Sequence, residues 1–277
     1  NKALIIGPSG IGLAHLREFK KYGIKSIGIL RKNFIKNKEQ SVLFFEKKKI
    51  KYLRTFQEIK KFKPDIISLC SPHHNHIEHL KLIKDRYKGP IIVEKPFIVD
   101  KNFNYNQHKK LSDLFYKNFQ NIYVNLPMIF IVSQLKRFIK QKQIKNIDFN
   151  YNTKGKHQYE EIVIDLLPHA LSFVLTSINQ ELKNFKLSKL TINRKTSKIY
   201  IKINNVNCYF NFKQNEKSKN SGLSFYINKK KFTRFIVKKD KIDDVYFQIN
   251  KKKIKILNPM SKSLNISLKQ LNKQINN

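Results

Sequence analysis

The chain has 277 residues, 40% hydrophobic and 12% aromatic. That is enough apolar material to core one large domain or two small ones, and too much for a chain disordered throughout. Its 57 Lys and Arg against 19 Asp and Glu give a formal charge of +38, but two cysteines, Cys70 and Cys208, are too few for a disulfide framework or a zinc set.

The charge suggests a polyanion, yet only seven of the basic residues are arginines (Arg17, Arg31, Arg54, Arg86, Arg137, Arg194 and Arg234). Arginine is the side chain that forks onto phosphate and reads bases. The lysines are spread through nearly every segment with Ile and Asn, as codon bias in an A/T-rich genome would leave them, so a dedicated nucleic-acid binder stands as an alternative reading only. The longest purely apolar run, Met128 to Val132, is far below the ~18 residues of a membrane span. No secretory pattern opens the sequence, and a soluble cytoplasmic protein is expected.

Lys2 to Ile6 reads as a strand, followed by Gly7-Pro8-Ser9-Gly10-Ile11-Gly12 and a helix from Leu13 to Tyr22 that Gly23 ends. Strand, glycine turn and helix in this order present backbone N–H groups and a helix N-terminus to a pyrophosphate. The spacing, G-x-x-G-x-G, is a variant of the dinucleotide fingerprint, and Gly7, Ser9, Gly10, Ile11 and Gly12 are its cofactor-binding candidates. A second strand, Lys25 to Leu30, ends in Arg31-Lys32-Asn33 where the usual unit carries an acid for the ribose hydroxyls. Arg31 and Lys32 suit a 2′-phosphate, so NADP(H) is expected over NAD(H).

Thr55 to Glu58 has the form of a capping box and opens a short helix ending before Pro64. Asp65 to Cys70 reads as a buried parallel strand. It leads through Ser71-Pro72-His73-His74-Asn75-His76 into a helix, Ile77 to Tyr87, and the fifth strand, Ile91 to Val93, runs into Glu94-Lys95-Pro96. Charged residues at that end of a parallel sheet lie where such sheets bind ligands. The histidines 73, 74, 76 and 79 lack a cysteine or carboxylate partner at zinc-like spacing, so no metal site is assigned.

Asp165 and His169 are four apart on an expected helix and share a face, where the carboxylate could orient the imidazole. A lysine, a histidine and an aspartate suit hydride transfer at a carbinol: His169 exchanges the hydroxyl proton and Lys95 polarises the oxygen. The rest of the second half alternates as strands: Ile144 to Tyr151, Leu187 to Asn193, Lys198 to Ile203, Cys208 to Phe212, Leu223 to Ile227, Phe232 to Val237 and Val245 to Ile249. Asn204-Asn205 and Asn228-Lys229 are read as turns, Lys213 to Gly222 as the loosest loop and Ser261 to Asn277 as one polar helix.

The glycine turn, the segment from Asp65 to His76, the strand ending in Glu94-Lys95-Pro96 and Asp165-x-x-x-His169 resemble, in their order, the glucose-fructose oxidoreductase / inositol dehydrogenase / MocA (Gfo/Idh/MocA) family of NAD(P)-dependent oxidoreductases. The resemblance implies an α/β plus α+β chain: a Rossmann dinucleotide-binding domain over residues 1–122, and a substrate-binding domain over 123–277 built on a largely antiparallel sheet with helices on one face. It assigns catalysis to Lys95, His169 and Asp165. Ser71, Pro72, His76, Glu94 and Lys95 join the cofactor contacts, with His76 on the loop approaching the nicotinamide end. It further implies a homo-oligomer, expected as a dimer through the outer face of the second sheet. Where the family often has an arginine near the substrate, this chain has Val124 to Phe130 without one, so an anionic substrate loses support and Asn125 becomes the neutral substrate candidate. Leu166-Leu167-Pro168 also departs from the family's small residues. The expected activity is hydride transfer between a nicotinamide cofactor and a hydroxyl or carbonyl of a small, polar, sugar-like molecule. Sugar, sugar nucleotide, imine and biosynthetic intermediate all stay open as substrates, and a non-catalytic NADP(H)-binding sensor or assembly protein is the second reading.

Overall fold

The computed structural model describes residues 1–8, 10–30, 50–100, 102, 104–119, 121–140, 143–217, 222–237 and 244–275, with side chains described up to 269. Ser9, Arg31, Lys32 and residues 218–221 of the loop expected from Lys213 to Gly222 lie outside these residues. The chain divides into two compact units, residues 1–125 with 264–277, and residues 126–263.

The first unit carries a parallel sheet of β1 (Lys2–Ile6), β2 (Ser26–Leu30), β3 (Lys51–Leu53), β4 (Ile66–Leu69), β5 (Ile91–Glu94) and β6 (Ile122–Asn125), in the order β3-β2-β1-β4-β5-β6. The order reverses between β1 and β4, and ligands of such sheets bind at the carboxyl ends beside that point. Its helices are α1 (Ile11–Lys21), α2 (Glu58–Phe62), α3 (His76–Lys84) and α4 (Tyr105–Asn118). Strand residues alternate between faces. Leu4, Ile6, Ile67, Leu69, Ile91 and Val93 form one core with Leu80, Ile83, Leu111 and Phe115 of α3 and α4. Ile5, Ser68, Ile92 and Glu94 fall on the opposite parity. There α1 buries His15, Leu16 and Phe19.

Local signals set several boundaries. Gly23 has φ +85°, and the Ile24 amide bonds back to the Phe19 carbonyl at 3.0 Å, the glycine-dependent end expected of α1. At α2 the expected reciprocal cap is only half made. Glu58 Oε1 accepts from the Thr55 amide at 3.0 Å, but the Thr55 hydroxyl donates to that carboxylate rather than capping the helix, which starts at Glu58.

The second unit holds β7 (Asn146–Thr153), β8 (Phe185–Ile192), β9 (Thr196–Ile203), β10 (Val206–Gln214), β11 (Gly222–Ile227), β12 (Lys230–Val237), β13 (Asp244–Ile249) and β14 (Lys252–Ile256), in the order β14-β13-β12-β11-β7-β10-β9-β8. Every pairing is antiparallel except β7 with β10. Asn204, Asn228 and Asn250 take positive φ at the tight turns, where an asparagine side chain tolerates left-handed backbone. Asn228 also accepts the Lys145 and Asn146 amides through Oδ1, so the turn closes the edge of β7. β14 was legible from the same Asn-Lys pair at Asn250-Lys251, although the alternation reading stops at Ile249.

Two helices, α5 (Pro127–Leu135) and α6 (Glu160–Ile178), pack on one face of this sheet through Met128, Ile131, Leu135, Ile162, Leu166 and Phe173, against Phe149, Phe210 and Phe225. The apolar run at 128–132 is thus the buried face of a helix begun by Pro127. By length and apolarity α6 could cross a membrane, but half of it is buried within the unit as the central core helix. The C-terminal helix α7 (Pro259–Ile275) begins two residues before the expected start, and from Leu264 it groups with the first unit. The division expected at 122/123, with everything after it in one domain, therefore differs from the observed one.

Candidate active site

In the first unit the glycines have separable roles. A Cβ on Gly7, which has φ +83°, would stand 2.6 Å from the Ser71 amide nitrogen and 2.7 Å from its Cα, because the turn lies directly against the end of β4. One on Gly12 would overlap the Gly7 carbonyl oxygen, so the first turn of α1 can close onto the loop only without a side chain. Gly10, at φ +50°, would meet nothing within 4 Å. It is exposed and precedes an α1 N-terminus that has no side-chain cap and no acid in its first turn. Unpaired helix N–H groups behind an open glycine favour an anionic group. The residues present fit a dinucleotide pyrophosphate, with Gly10, Ile11 and Gly12 as its backbone contacts.

Ser71 and Pro72 follow β4 as expected, but their side chains differ in use. Pro72 is exposed, whereas the buried Ser71 hydroxyl hydrogen-bonds His79 Nδ1 at 2.9 Å. His76 is fully buried at the start of α3. Its Nδ1 lies 2.9 Å from the Pro96 carbonyl oxygen and 3.1 Å from that of Phe97, and its Nε2 lies 2.9 Å from that of Ser71. Burial lowers its pKa below the usual histidine value, the carbonyls opposing that only in part. His76 is thus a tie between two loops, its ring nitrogens directed at these three carbonyls. Among the described residues no set of three His, Cys, Asp or Glu side chains is placed to hold a metal ion.

Glu94 also differs from its expected role. Its carboxylate is buried, accepting from His15 Nε2 at 2.7 Å, and Asn125 Nδ2 donates to the same oxygen. Asn125, 2% exposed, is a partner of Glu94. The other nitrogen of His15 lies 2.6 Å from Ser68 Oγ, which in turn is 3.3 Å from Cys70 Sγ. Burial works against a charge on His15, but Cys70 and Glu94 outweigh it and raise the imidazole to about 10. Polar groups at buried positions must satisfy one another, and the β5–β6 register does this by setting Glu94 opposite Asn125. His15, Ser68 and Cys70 went unread in the sequence. The signal for His15 was its place among Gly12, Leu16 and Phe19 on the buried face of α1. Lys95, partly buried, follows this network at the bend after β5.

In the second unit Asp165 and His169 lie on α6 as expected, but the carboxylate is engaged elsewhere: Asp165 Oδ2 accepts from Gln214 Nε2 at 2.6 Å. Gln214 Oε1 accepts the His157 amide at 3.1 Å, so β10 anchors both the aspartate and the loop before α6. His169 is buried with its ring 5.5 Å from that of Tyr151, edge to face, and the Arg234 guanidinium stands 5.8 Å from the Tyr151 ring centre. Tyr151, Gln214 and Arg234 were missed as neighbours of the motif. Arg234 was the legible one, a scarce arginine on a strand whose adjacent position, Phe235, begins its exposed end.

Residues 1–126 match the model of an oxidoreductase family with an NAD-binding Rossmann fold, Gfo/Idh/MocA. No curated protein is significantly similar in sequence. Solved structures are similar over nearly the whole chain. A dehydrogenase (MviM) from Clostridium difficile shares 15% identity at a TM-score of 0.66, covering 99% of this chain and 98% of that one. A 3-ketoreductase from Actinomadura kijaniata, in complex with TDP-benzene and NADP, shares 10% identity at a TM-score of 0.70, covering 98% and 89%. A biliverdin reductase from Synechocystis, in complex with biliverdin and NADP+, shares 10% at 0.66, covering 98% and 90%. At such identities the likeness shows the fold, a Rossmann unit joined to a mostly antiparallel one. The glycine turn and the Glu94-Lys95-Pro96 strand end both lie within residues 1–126, the part of the chain that matches the Gfo/Idh/MocA oxidoreductase family with its NAD-binding Rossmann fold.

Proposed function

We propose that the protein uses NADP(H), in preference to NAD(H), to interconvert a hydroxyl and a carbonyl on a small, polar, sugar-like molecule. The observation that carries this reading is the open, uncapped glycine turn at the switch point of the first sheet. When bound, the nicotinamide takes or gives the hydride. The chain's own part is to bind the pyrophosphate on the Gly10–Gly12 amides, to hold the charge of Lys95 at the substrate oxygen and to exchange the hydroxyl proton at His169. Asp165, held by Gln214, is a substrate or positioning group. These roles follow the family's motifs residue by residue, and no substrate identity is implied by the neighbours' names.

Two further readings belong to the proposal. Arg234 above Tyr151 supplies the cation that the segment Val124 to Phe130 lacks, which returns an anionic substituent to the substrate classes. The outer face of the second sheet pairs two copies, and light scattering at moderate salt should return a dimer mass; a clean monomer of 33 kDa at micromolar concentration would reject it. A cytoplasmic location is proposed with both, in keeping with Cys70 and Cys208 as free thiols. Calorimetric titration with NADPH and NADH tests the central claim: saturable binding at one site per chain supports it, and failure of both to bind ends it.

A further inference from the structure

The segment Glu94–Phe97 is gripped from two sides, by His15 on α1 and by His76 at the start of α3. Each grip reaches a different part of the segment, and Lys95 lies between them. On one side the Glu94 carboxylate is tied to His15 and Asn125, and His15 is itself tied to Ser68 of β4. On the other, the His76 ring sits among the carbonyls of Pro96, Phe97 and Ser71. Nδ1 faces two carbonyls and Nε2 one, which favours the proton on Nδ1, donating into the segment.

We infer that His15 and His76 are positioning residues for Lys95, holding its backbone from both flanks so that the ammonium is presented in one orientation. A side chain with four rotatable bonds is pre-organised only as well as its backbone is fixed, and a small misplacement of a catalytic group costs large factors in rate. The grips use buried, non-reacting groups. The charged and titratable groups facing His15 are Glu94 on β5 and Cys70 after β4, with Ser68 and Asn125 as the polar partners and Phe19 at 6.2 Å on its own helix. Those facing His76 are backbone carbonyls, with Glu94 a weaker influence. The inference rests on the proposed function for what Lys95 does, and on the structure alone for how it is held.

The test uses the full chain and needs no substrate. His15→Leu and His76→Leu remove the donors, while His15→Gln and His76→Asn keep an N–H near the Nε2 and Nδ1 positions respectively. Amide hydrogen exchange is followed over residues 94–98 and, as a control for global loosening, over 26–30 of β2. Reductive ¹³C-methylation reports on Lys95, its resonance identified by its loss in Lys95→Arg. The leucine variants should speed exchange at 94–98 at least tenfold relative to β2 and move or broaden the Lys95 resonance. The amide variants should stay within about threefold of the parent. Equal loosening of both segments, or an unmoved Lys95 signal, overturns the inference. Should the leucine variants fail to fold, long-range ¹H–¹⁵N spectra of the parent decide it: His15 must carry a proton on Nε2, facing Glu94, and His76 one on Nδ1, facing Pro96 and Phe97, and the absence of either proton overturns it. Failure of the parent to bind NADPH would sink the functional reading while leaving these results as they are.

Discussion

Glu94→Gln isolates the charge in the first unit's buried network, because glutamine keeps the shape and an acceptor oxygen for both His15 and Asn125. In the parent the His15 imidazole is raised from 6.5 to about 10. A folded-state pKa above the unfolded one stabilises the fold fully below about pH 6.5 and loses that stabilisation as the pH rises through about 10. At pH 7 a rise of that size corresponds to ~4 kcal/mol for all the causes together. Cys70 is the larger contributor and Glu94 the smaller, so the variant should lose ~1–2 kcal/mol of it at pH 7. The loss is limited because His15 can release its proton once the carboxylate is gone. At pH 10, where the parent ring is itself half neutral, the difference should fall below ~1 kcal/mol. Urea unfolding followed by circular dichroism, the chain having no tryptophan, should show the midpoint lowered by ~0.5 M at pH 7 and nearly restored at pH 10. A loss that is the same at pH 6 and pH 10, or under ~0.5 kcal/mol at pH 7, would refute the charged His15–Glu94 pair.

The remaining expectations concern the cofactor and the chemistry. NADPH should bind more tightly than NADH in calorimetry, and Arg31→Asp should cost NADPH ~1–3 kcal/mol through the lost charge-assisted bonds; equal affinities would remove Arg31 from the argument. Gly12→Ala should destabilise the first unit by ~2 kcal/mol or more, since its Cβ overlaps the Gly7 carbonyl. Gly10→Ala, with open space but φ +50°, should cost ~1–2 kcal/mol of backbone strain and weaken NADP(H) binding disproportionately; thermal melts with and without cofactor separate the two. Lys95→Ala and His169→Ala should each lower turnover ~10²- to 10⁴-fold with NADP(H) affinity nearly unchanged, and Asp165→Asn less. Steady-state assays on a panel of sugars and sugar nucleotides read this out, and turnover within a few-fold of the parent would favour the sensor reading.

The sequence by itself determined the parts of this protein that depend on near neighbours along the chain. The alternation of Val, Ile and Phe named seven of the eight strands of the second sheet, the asparagines placed its turns, and the glycine turn with Glu94-Lys95-Pro96 announced the Rossmann-type first unit that the family model matches. Such signals are local: a period, a φ that needs glycine or asparagine, a helix face. What the tertiary structure alone decided is which polar side chains meet. Glu94 and Asn125 were legible as candidates at strand ends, but that they bind each other and His15, 31 and 79 residues from Glu94, follows from strand order and from α1 lying on that face. Asp165 likewise shares a helix face with His169 in sequence, yet it takes its hydrogen bond from Gln214, 49 residues on. Burial is the physical reason. It obliges each polar group to find a partner, and which partners are within reach is a property of the packed sheet rather than of spacing along the chain.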